Sequence, residues 1–242
     1  MLELQQNNCF FIFNFDHSKD NQTQFFDPYF WKKQQRIIGS AKGRGTTWFI
    51  QTKDLFSVNV ALRHYYRGGL IGKLNRDWYH FSSLEMSRSF AEFSLLNQLF
   101  QAGLSVPKPI AARVEKNKLG FYRADILIEK IENAVDLTAL LINNQLSLTS
   151  WQKIGATIRQ LHNLQICHSD LNAHNILIQN YATQNEKIWL IDFDKCGKKS
   201  GDIWKEENLQ RLKRSFLKEV KRMNIQFSEQ NWQNLLEGYQ QQ

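Results

Sequence analysis

The sequence predicts an α+β fold of two lobes, β-rich then mainly helical, and three observations lead there. Residues 1–132 carry short runs of β-branched and aromatic residues with one strongly periodic helix. Residues 133–242 read mainly as helices around one polar turn. That turn, His168-Ser169-Asp170-Leu171-Asn172-Ala173-His174-Asn175, runs into the apolar strand Ile176-Leu177-Ile178, and Leu190-Ile191-Asp192-Phe193-Asp194 follows. A carboxylate and a carboxamide therefore stand five residues apart, with another carboxylate at the end of the next strand. The two lobes are expected to act together as one domain.

These groups are what phosphoryl transfer needs. One Asp orients the acceptor hydroxyl and takes its proton, while an Asn and a second Asp hold the Mg²⁺ that bridges the nucleotide phosphates. Asp170 is the candidate base, and Asn175 and Asp192 are the candidate metal ligands. The pattern is that of a protein-kinase-like fold, with two departures: Ser169 replaces the usual Arg and Asp194 the usual Gly. His168 and His174 are expected to brace the turn, and Asp194 stands either near the metal or at the surface.

The elements follow in order. Gly39, Gly43 and Gly45 stand in a run ending Thr46-Thr47. There they would let the backbone approach phosphates closely and adopt positive φ. A tight hairpin turn explains the cluster equally well, but its place ahead of two strands is where a phosphate-covering loop belongs. Residues 47–51 and 58–63 then read as a hairpin. Arg63, in Val60-Ala61-Leu62-Arg63, stands where kinases carry the Lys that meets the nucleotide phosphates; its charge suits that role, and contact with the acceptor or extension of the basic patch are the alternatives. Residues 87–101 form a helix stopped by Gly103, on which Glu92 is placed to pair with Arg63. Residues 125–131 form a strand whose end, at Glu129 and Ile131, is expected to offer backbone groups to an adenine edge. Asp136 is a candidate N-cap for a short helix, and Thr149 or Ser150 opens another that runs to about Asn163 with Ile154, Ile158 and Leu161 inside.

Bulk properties narrow the partners. The 242 residues are 42% apolar and carry a formal charge of +8. Residues 195–222 hold ten Lys or Arg against four Asp or Glu, and Arg63, Arg67, Lys73 and Arg76 form a second basic stretch. Such patches attract phosphorylated substrates, nucleic acid or anionic membranes, although a solvated helix face explains the patch over residues 195–222 as well. No nucleic-acid-reading motif accompanies the charge, so nucleic acid is not an expected partner. Three cysteines without CxxC spacing suggest a reducing compartment. No signal peptide and no apolar run of membrane-spanning length is found, so a soluble or peripheral protein is expected.

Three stretches carry a closer resemblance: Gly39 to Thr47, then Leu62-Arg63-His64-Tyr65-Tyr66-Arg67-Gly68-Gly69-Leu70 with Asp77-Trp78-Tyr79, and then the turn from His168 with Ile191-Asp192-Phe193-Asp194. Over nearly its whole length the chain resembles the bacterial lipopolysaccharide kinases, most closely those acting on 3-deoxy-D-manno-octulosonic acid (Kdo). The resemblance implies that MgATP phosphorylates a hydroxyl of Kdo on a lipid A precursor. It also implies peripheral attachment to the anionic cytoplasmic face of the inner membrane. The basic segment from Arg63 to Arg76 becomes a candidate for binding anionic sugar or lipid phosphate. No Ala-Pro-Glu follows Asp192, so a peptide-binding subdomain and a protein substrate are not expected. A core heptose kinase, another small-molecule kinase and a non-catalytic pseudokinase are the competing expectations.

Overall fold

The computed structural model describes residues 1–15, 20–69 and 75–241. Its contacts divide the chain into two compact units. Unit 1 comprises Met1–Asn97 with Lys108–Lys130, and unit 2 comprises Gln98–Pro107 with Ile131–Gln242.

Unit 1 is built on an eight-stranded antiparallel sheet of β1 (Leu2–Gln6), β2 (Cys9–Phe13), β3 (Ile37–Lys42), β4 (Thr46–Ile50), β5 (Val60–His64), β6 (Tyr79–His80), β7 (Pro109–Lys116) and β8 (Phe121–Glu129). The spatial order is β1-β2-β7-β8-β5-β4-β3, with β6 paired to the start of β8. Phe11, Phe13, Phe25, Phe26, Trp31, Ile50 and Leu127 close its main core. Two short elements hold that core in place. Asp27 caps α1 (Pro28–Lys33) by accepting from the Tyr29 N–H at 2.8 Å, and Pro28 supplies the first helical position. Trp31 of α1 is fully buried, and its indole N–H donates to the Phe25 carbonyl at 2.8 Å.

β4 and β5 pair as expected, with Thr47 opposite Arg63. Their link is not a tight turn but the one-turn helix α2 (Lys53–Phe56). Buried Thr52 makes this possible: its N–H donates to Asn59 Oδ1 and its hydroxyl to the Val58 carbonyl. Helix α3 (Arg88–Gln101) buries Phe93, Leu96 and Leu99 and gives way to Gly103 at φ 81°, which only glycine adopts without strain. The strand expected over residues 125–131 starts earlier and ends at Glu129.

Unit 2 holds α4 (Leu137–Asn143), α5 (Leu148–Asn163), α6 (Ile203–Met223) and α7 (Glu229–Gln240). It also holds the sheet β12 (Lys187–Leu190), β11 (Ile176–Gln179), β9 (Ala134–Asp136) and the pair β10 (Ile166–Cys167) with β13 (Gly197–Lys198). Asp136 caps α4 through the Ala139 N–H at 3.0 Å. Helix α5 begins earlier than expected because Ser147, not Thr149 or Ser150, is its cap, accepting from the Ser150 N–H at 3.0 Å. Ile154, Ile158 and Leu161 are fully buried, as their spacing requires. Helices α5 and α7 touch backbone to backbone. A Cβ on Gly155 would strike the Leu235 carbonyl, and one on Gly238 would strike the Gln152 carbonyl. Among the described residues no helix is long and apolar enough to cross a membrane.

Candidate active site

The turn from His168 to Asn175 is locked by a closed circuit of four hydrogen bonds. The Asp170 N–H donates to His168 Nδ1 at 3.3 Å, and His168 Nε2 donates to the Ile191 carbonyl at 3.0 Å. The Ile191 N–H donates to the Asn175 carbonyl at 3.0 Å, and Asn175 Nδ2 donates to the Asp170 carbonyl at 2.9 Å. His168 therefore accepts at one ring nitrogen and donates at the other, which is the neutral imidazole. Full burial pushes its pKa down, in keeping with that state. The circuit ties Asp170, Asn175 and the residue preceding Asp192 into one rigid loop. His168 braces the turn, and its ring lies against Phe193 at 4.8 Å.

Each candidate metal ligand has a local reason for its pose. The nitrogen of Asn175 is occupied by Asp170, which leaves Oδ1 as the free end of the amide and the harder donor for Mg²⁺. Asn172 caps the following 3₁₀ turn, accepting from the His174 and Asn175 N–H groups at 2.9 and 3.2 Å. Asp192 sits at φ 64°, a left-handed conformation that is uncommon outside glycine and clusters at functional sites. His174 takes the structural part expected of it, 3.2 Å from Asp136 and 3.6 Å from Glu219.

Sequence reasoning missed the supports behind this turn. Asn208 of α6 donates from Nδ2 to the His168 carbonyl at 2.8 Å and accepts from His162 Nε2 at 3.1 Å. His162 in turn accepts at Nδ1 from the Tyr239 hydroxyl at 2.8 Å. Burial lowers the His162 pKa to about 4, so the relay from α7 to the turn is neutral and unidirectional at physiological pH. Arg211, also on α6, places Nη2 2.6 Å from Asp170 Oδ1, and both side chains are about half exposed. No local pattern announces these contacts; only the surplus of basic residues from 195 to 222 hinted that this helix meets anions.

Unit 1 contributes the second group of candidates. Arg63 Nη2 lies 2.6 and 2.5 Å from the two Glu92 carboxylate oxygens, and the Tyr65 hydroxyl donates to Glu92 at 2.6 Å. The strand cation and helix carboxylate that the sequence placed 29 residues apart are joined, in a pocket where Glu92 is almost wholly buried. Burial and the Glu92 charge hold the Tyr65 phenol well above its ordinary pKa, so it stays a donor.

The glycine run forms the β3–β4 turn, where the Gly43 N–H donates to the Gly45 carbonyl at 2.8 Å. The expectation of positive φ fails for all three glycines; Gly69, Gly103, Gly120 and Gly201 are the glycines with positive φ among the described residues. Close approach is the operative reason instead. A Cβ on Gly45 would enter the Tyr66 ring, Gly43 faces open space, and Gly39 packs near Phe49. Glu129 gives its N–H to the Lys108 carbonyl at 2.8 Å, which removes that group as an adenine contact. Ile131 is buried, and its N–H makes no hydrogen bond among the described residues.

The basic stretch of unit 1 is largely consumed internally. Arg67 stacks over Tyr79 at 4.6 Å and donates from Nε to the Trp78 carbonyl, while Arg76 stacks over Tyr66 at 4.8 Å. Leu70 and Lys73 of that stretch lie outside the described residues. His64 is held between Asp125 at 2.7 Å and Asp77 at 3.2 Å. Burial lowers its pKa, but the hydrogen bond and charge of Asp125, helped by Asp77, outweigh this and the net shift is upward. The Leu62–Gly69 and Asp77–Tyr79 segments are thus knitted together within unit 1.

Comparison with known proteins adds three findings. Residues 29–239 match the model of the lipopolysaccharide kinase (Kdo/WaaP) family. The 3-deoxy-D-manno-octulosonic acid kinases of Mannheimia succiniciproducens and Haemophilus influenzae are 68% and 66% identical to this chain over 240 and 242 residues, covering 99–100% of it and 100% of their own lengths. The solved structure of WaaP in complex with acyl carrier protein superposes with a TM-score of 0.61 at 10% identity, covering 96% of this chain and 89% of that one. That likeness establishes a protein-kinase-like α+β fold.

Proposed function

From the premise that the chain belongs to the lipopolysaccharide kinase (Kdo/WaaP) family, we propose that it transfers the γ-phosphoryl group of ATP to a hydroxyl of Kdo on a lipid A precursor. The observation that carries this reading is the end-to-end identity of 68% with a Kdo kinase. The locked turn bearing Asp170 and Asn175 supports it. A heptose acceptor or a non-catalytic scaffold would share the fold but not that degree of identity.

The reaction follows from the residues. Phosphoryl transfer has a loose transition state, so the protein's task is positioning and charge neutralisation rather than covalent chemistry. Asp170, fixed through its own N–H and carbonyl, accepts the hydroxyl proton as the acceptor oxygen attacks the γ-phosphorus and ADP departs. Asn175 through Oδ1 and Asp192 are the residues that would hold Mg²⁺. When bound, that ion supplies positive charge to the donor phosphates. Mg²⁺ typically takes one or two carboxylates beside substrate phosphates, which suits so small a set. Arg63, steadied by Glu92 and Tyr65, serves the donor phosphates in place of the usual Lys. The turn holding Gly43 and Gly45, two residues without side chains on either side of Arg44, covers them. Ile131 offers its N–H to the adenine edge. The acceptor is a lipid, so we also propose peripheral attachment to the anionic cytoplasmic face of the inner membrane, with no protein or nucleic-acid substrate.

The test is transfer of label from γ-labelled ATP, with Mg²⁺ present, to Kdo-bearing lipid A precursor, heptosylated core, an aminoglycoside or no acceptor. Transfer confined to the Kdo-bearing precursor supports the proposal. Preference for heptose, or no transfer beyond the acceptor-free control, refutes it.

A further inference from the structure

From Arg211 onward helix α6 presents a basic face, and that face begins beside Asp170. Arg211, Arg214, Lys218 and Lys221 follow one another at steps of three or four residues and are all exposed. They line up on one side of the helix over about 15 Å. Arg211 already meets Asp170 at 2.6 Å. Among the described residues, Arg214, Lys218 and Lys221 make no ion pair, whereas Arg222, four residues after Lys218, and Lys213, off this line, are matched with Glu219 and Glu229. With Leu217 and Arg222, the three unpaired cations border an open groove of about 580 Å³.

This is a poor design for stability. Like charges three or four residues apart on a helix repel one another. Alternating signs would mark a solvated face laced by salt bridges, and from Arg211 onward this line does not alternate. The other basic stretch, in unit 1, has Arg67 and Arg76 stacked on tyrosines. The stripe on α6 is therefore a run of cations, among the described residues, that leads away from the proposed base.

We infer that this face of α6 is the acceptor-binding surface, with Arg211 taking the carboxylate of the acid sugar beside Asp170, and Arg214, Lys218 and Lys221 taking phosphates farther along the acceptor. The inference rests on the reaction proposed above. Kdo is a carboxylic acid, so a sugar hydroxyl brought to Asp170 brings an anion with it. A guanidinium has five donors in a planar fork. Arg211 spends one nitrogen on Asp170 and keeps the others for a second carboxylate. It holds the base in place and selects an acid sugar with the same group. Leu217, exposed among the cations, gives the lipid portion an apolar contact. The occupant is the phosphorylated acceptor, not an anionic bilayer at large.

A protein-by-substrate cycle tests this with the full chain, ATP and Mg²⁺. The acceptors are the Kdo-bearing precursor, its sugar methyl ester and its dephosphorylated form; the variants are Arg211→Gln and Arg214→Gln/Lys218→Gln. On the free acid, Arg211→Gln should lose about tenfold or more in kcat/KM, and the wild type should lose a similar factor on the ester. Arg211→Gln should lose little more when it meets the ester. The double variant should raise KM for the phosphorylated acceptor about tenfold, with kcat kept, and leave the dephosphorylated one unchanged. Equal losses by Arg211→Gln on acid and ester would mean that it acts only through Asp170, and would overturn the inference. So would a double variant that loses sedimentation with phosphatidylglycerol vesicles while keeping its KM. A wild type that transfers nothing to the acid sugar would overturn the proposed reaction, and this inference with it; wild-type transfer without coupling overturns this inference alone.

Discussion

Replacing Glu92 by Leu should strip unit 1 of a buried anion on which two other groups depend. The Glu92 side chain is 1% exposed and that of Arg63 22%. Removing one partner of a buried pair costs about 3–5 kcal/mol, mostly because the remaining charge is stranded, and the partial exposure of Arg63 points to the lower end. The Tyr65 hydroxyl loses its acceptor as well, at about 1–3 kcal/mol, though the two losses share one cause and do not add fully. About 3–4 kcal/mol is therefore expected for Glu92→Leu. Glu92→Gln keeps the shape and an acceptor, and should cost about 2 kcal/mol as a charge-assisted bond becomes a neutral one. The informative variant is Arg63→Met/Glu92→Leu. It removes both charges, so it should be more stable than Glu92→Leu alone. Urea unfolding followed by far-UV circular dichroism gives the midpoints, compared at constant slope. A Glu92→Leu cost below about 1 kcal/mol, or a double variant less stable than the single one, would refute the reasoning. Stability and chemistry separate in the same set. Arg63→Met/Glu92→Leu should remain folded yet bind nucleotide poorly, because the cation assigned to the phosphates is gone.

Three further outcomes follow from particular contacts. The folded pKa of His162, about 4, lies below the 6.5 of an unconstrained histidine, so the unfolded chain binds the extra proton first. Its contribution is complete above pH 6.5 and is lost as the pH falls toward 4, amounting to about 3 kcal/mol, and His162→Asn should remove that slope from urea midpoints taken across the interval. His64 behaves oppositely, because its raised pKa makes its contribution complete below pH 6.5 and lost as pH rises through the folded value; His64→Asn should flatten that alkaline limb in the same titration. Gly155→Ala or Gly238→Ala should each destabilise by about 3 kcal/mol, at the upper end for overpacking because the obstacle is backbone, and thermal unfolding reads the loss directly.

Local patterns made much of the fold legible. The β-branched and aromatic runs revealed β4 and β5, and the spacing of Ile154, Ile158 and Leu161 gave the buried face of α5. What they could not show was competition between equivalent signals. Three hydroxyl residues stand near the start of α5, and only the geometry of the Ser150 N–H against Ser147 decides which one caps it. The link between β4 and β5 coils into α2 because Asn59 Oδ1 accepts from the Thr52 N–H across seven residues. For the candidate site, the motif spacing nominated Asp170, Asn175 and Asp192, and helical position suggested the pairing of Glu92 with Arg63 that the structure shows. Glycine identity indicated a special backbone but not which kind, since close approach to Tyr66 and positive φ leave the same letter in the sequence. Arg211 and Asn208 were invisible for a simpler reason. They reach the turn from 41 and 40 residues away through the packing of α6, and nothing local marks which face of a basic helix turns toward a carboxylate.

The most direct measurement compares Asp170→Asn with the wild type in two assays on the same preparation: phosphate transfer to the Kdo-bearing lipid A precursor, and Mg²⁺-dependent nucleotide binding. Transfer should fall by about 10²-fold or more while nucleotide affinity stays within about twofold, because the residue serves the acceptor hydroxyl and not the donor. Transfer near the wild-type rate would contradict the assignment of Asp170 as the base.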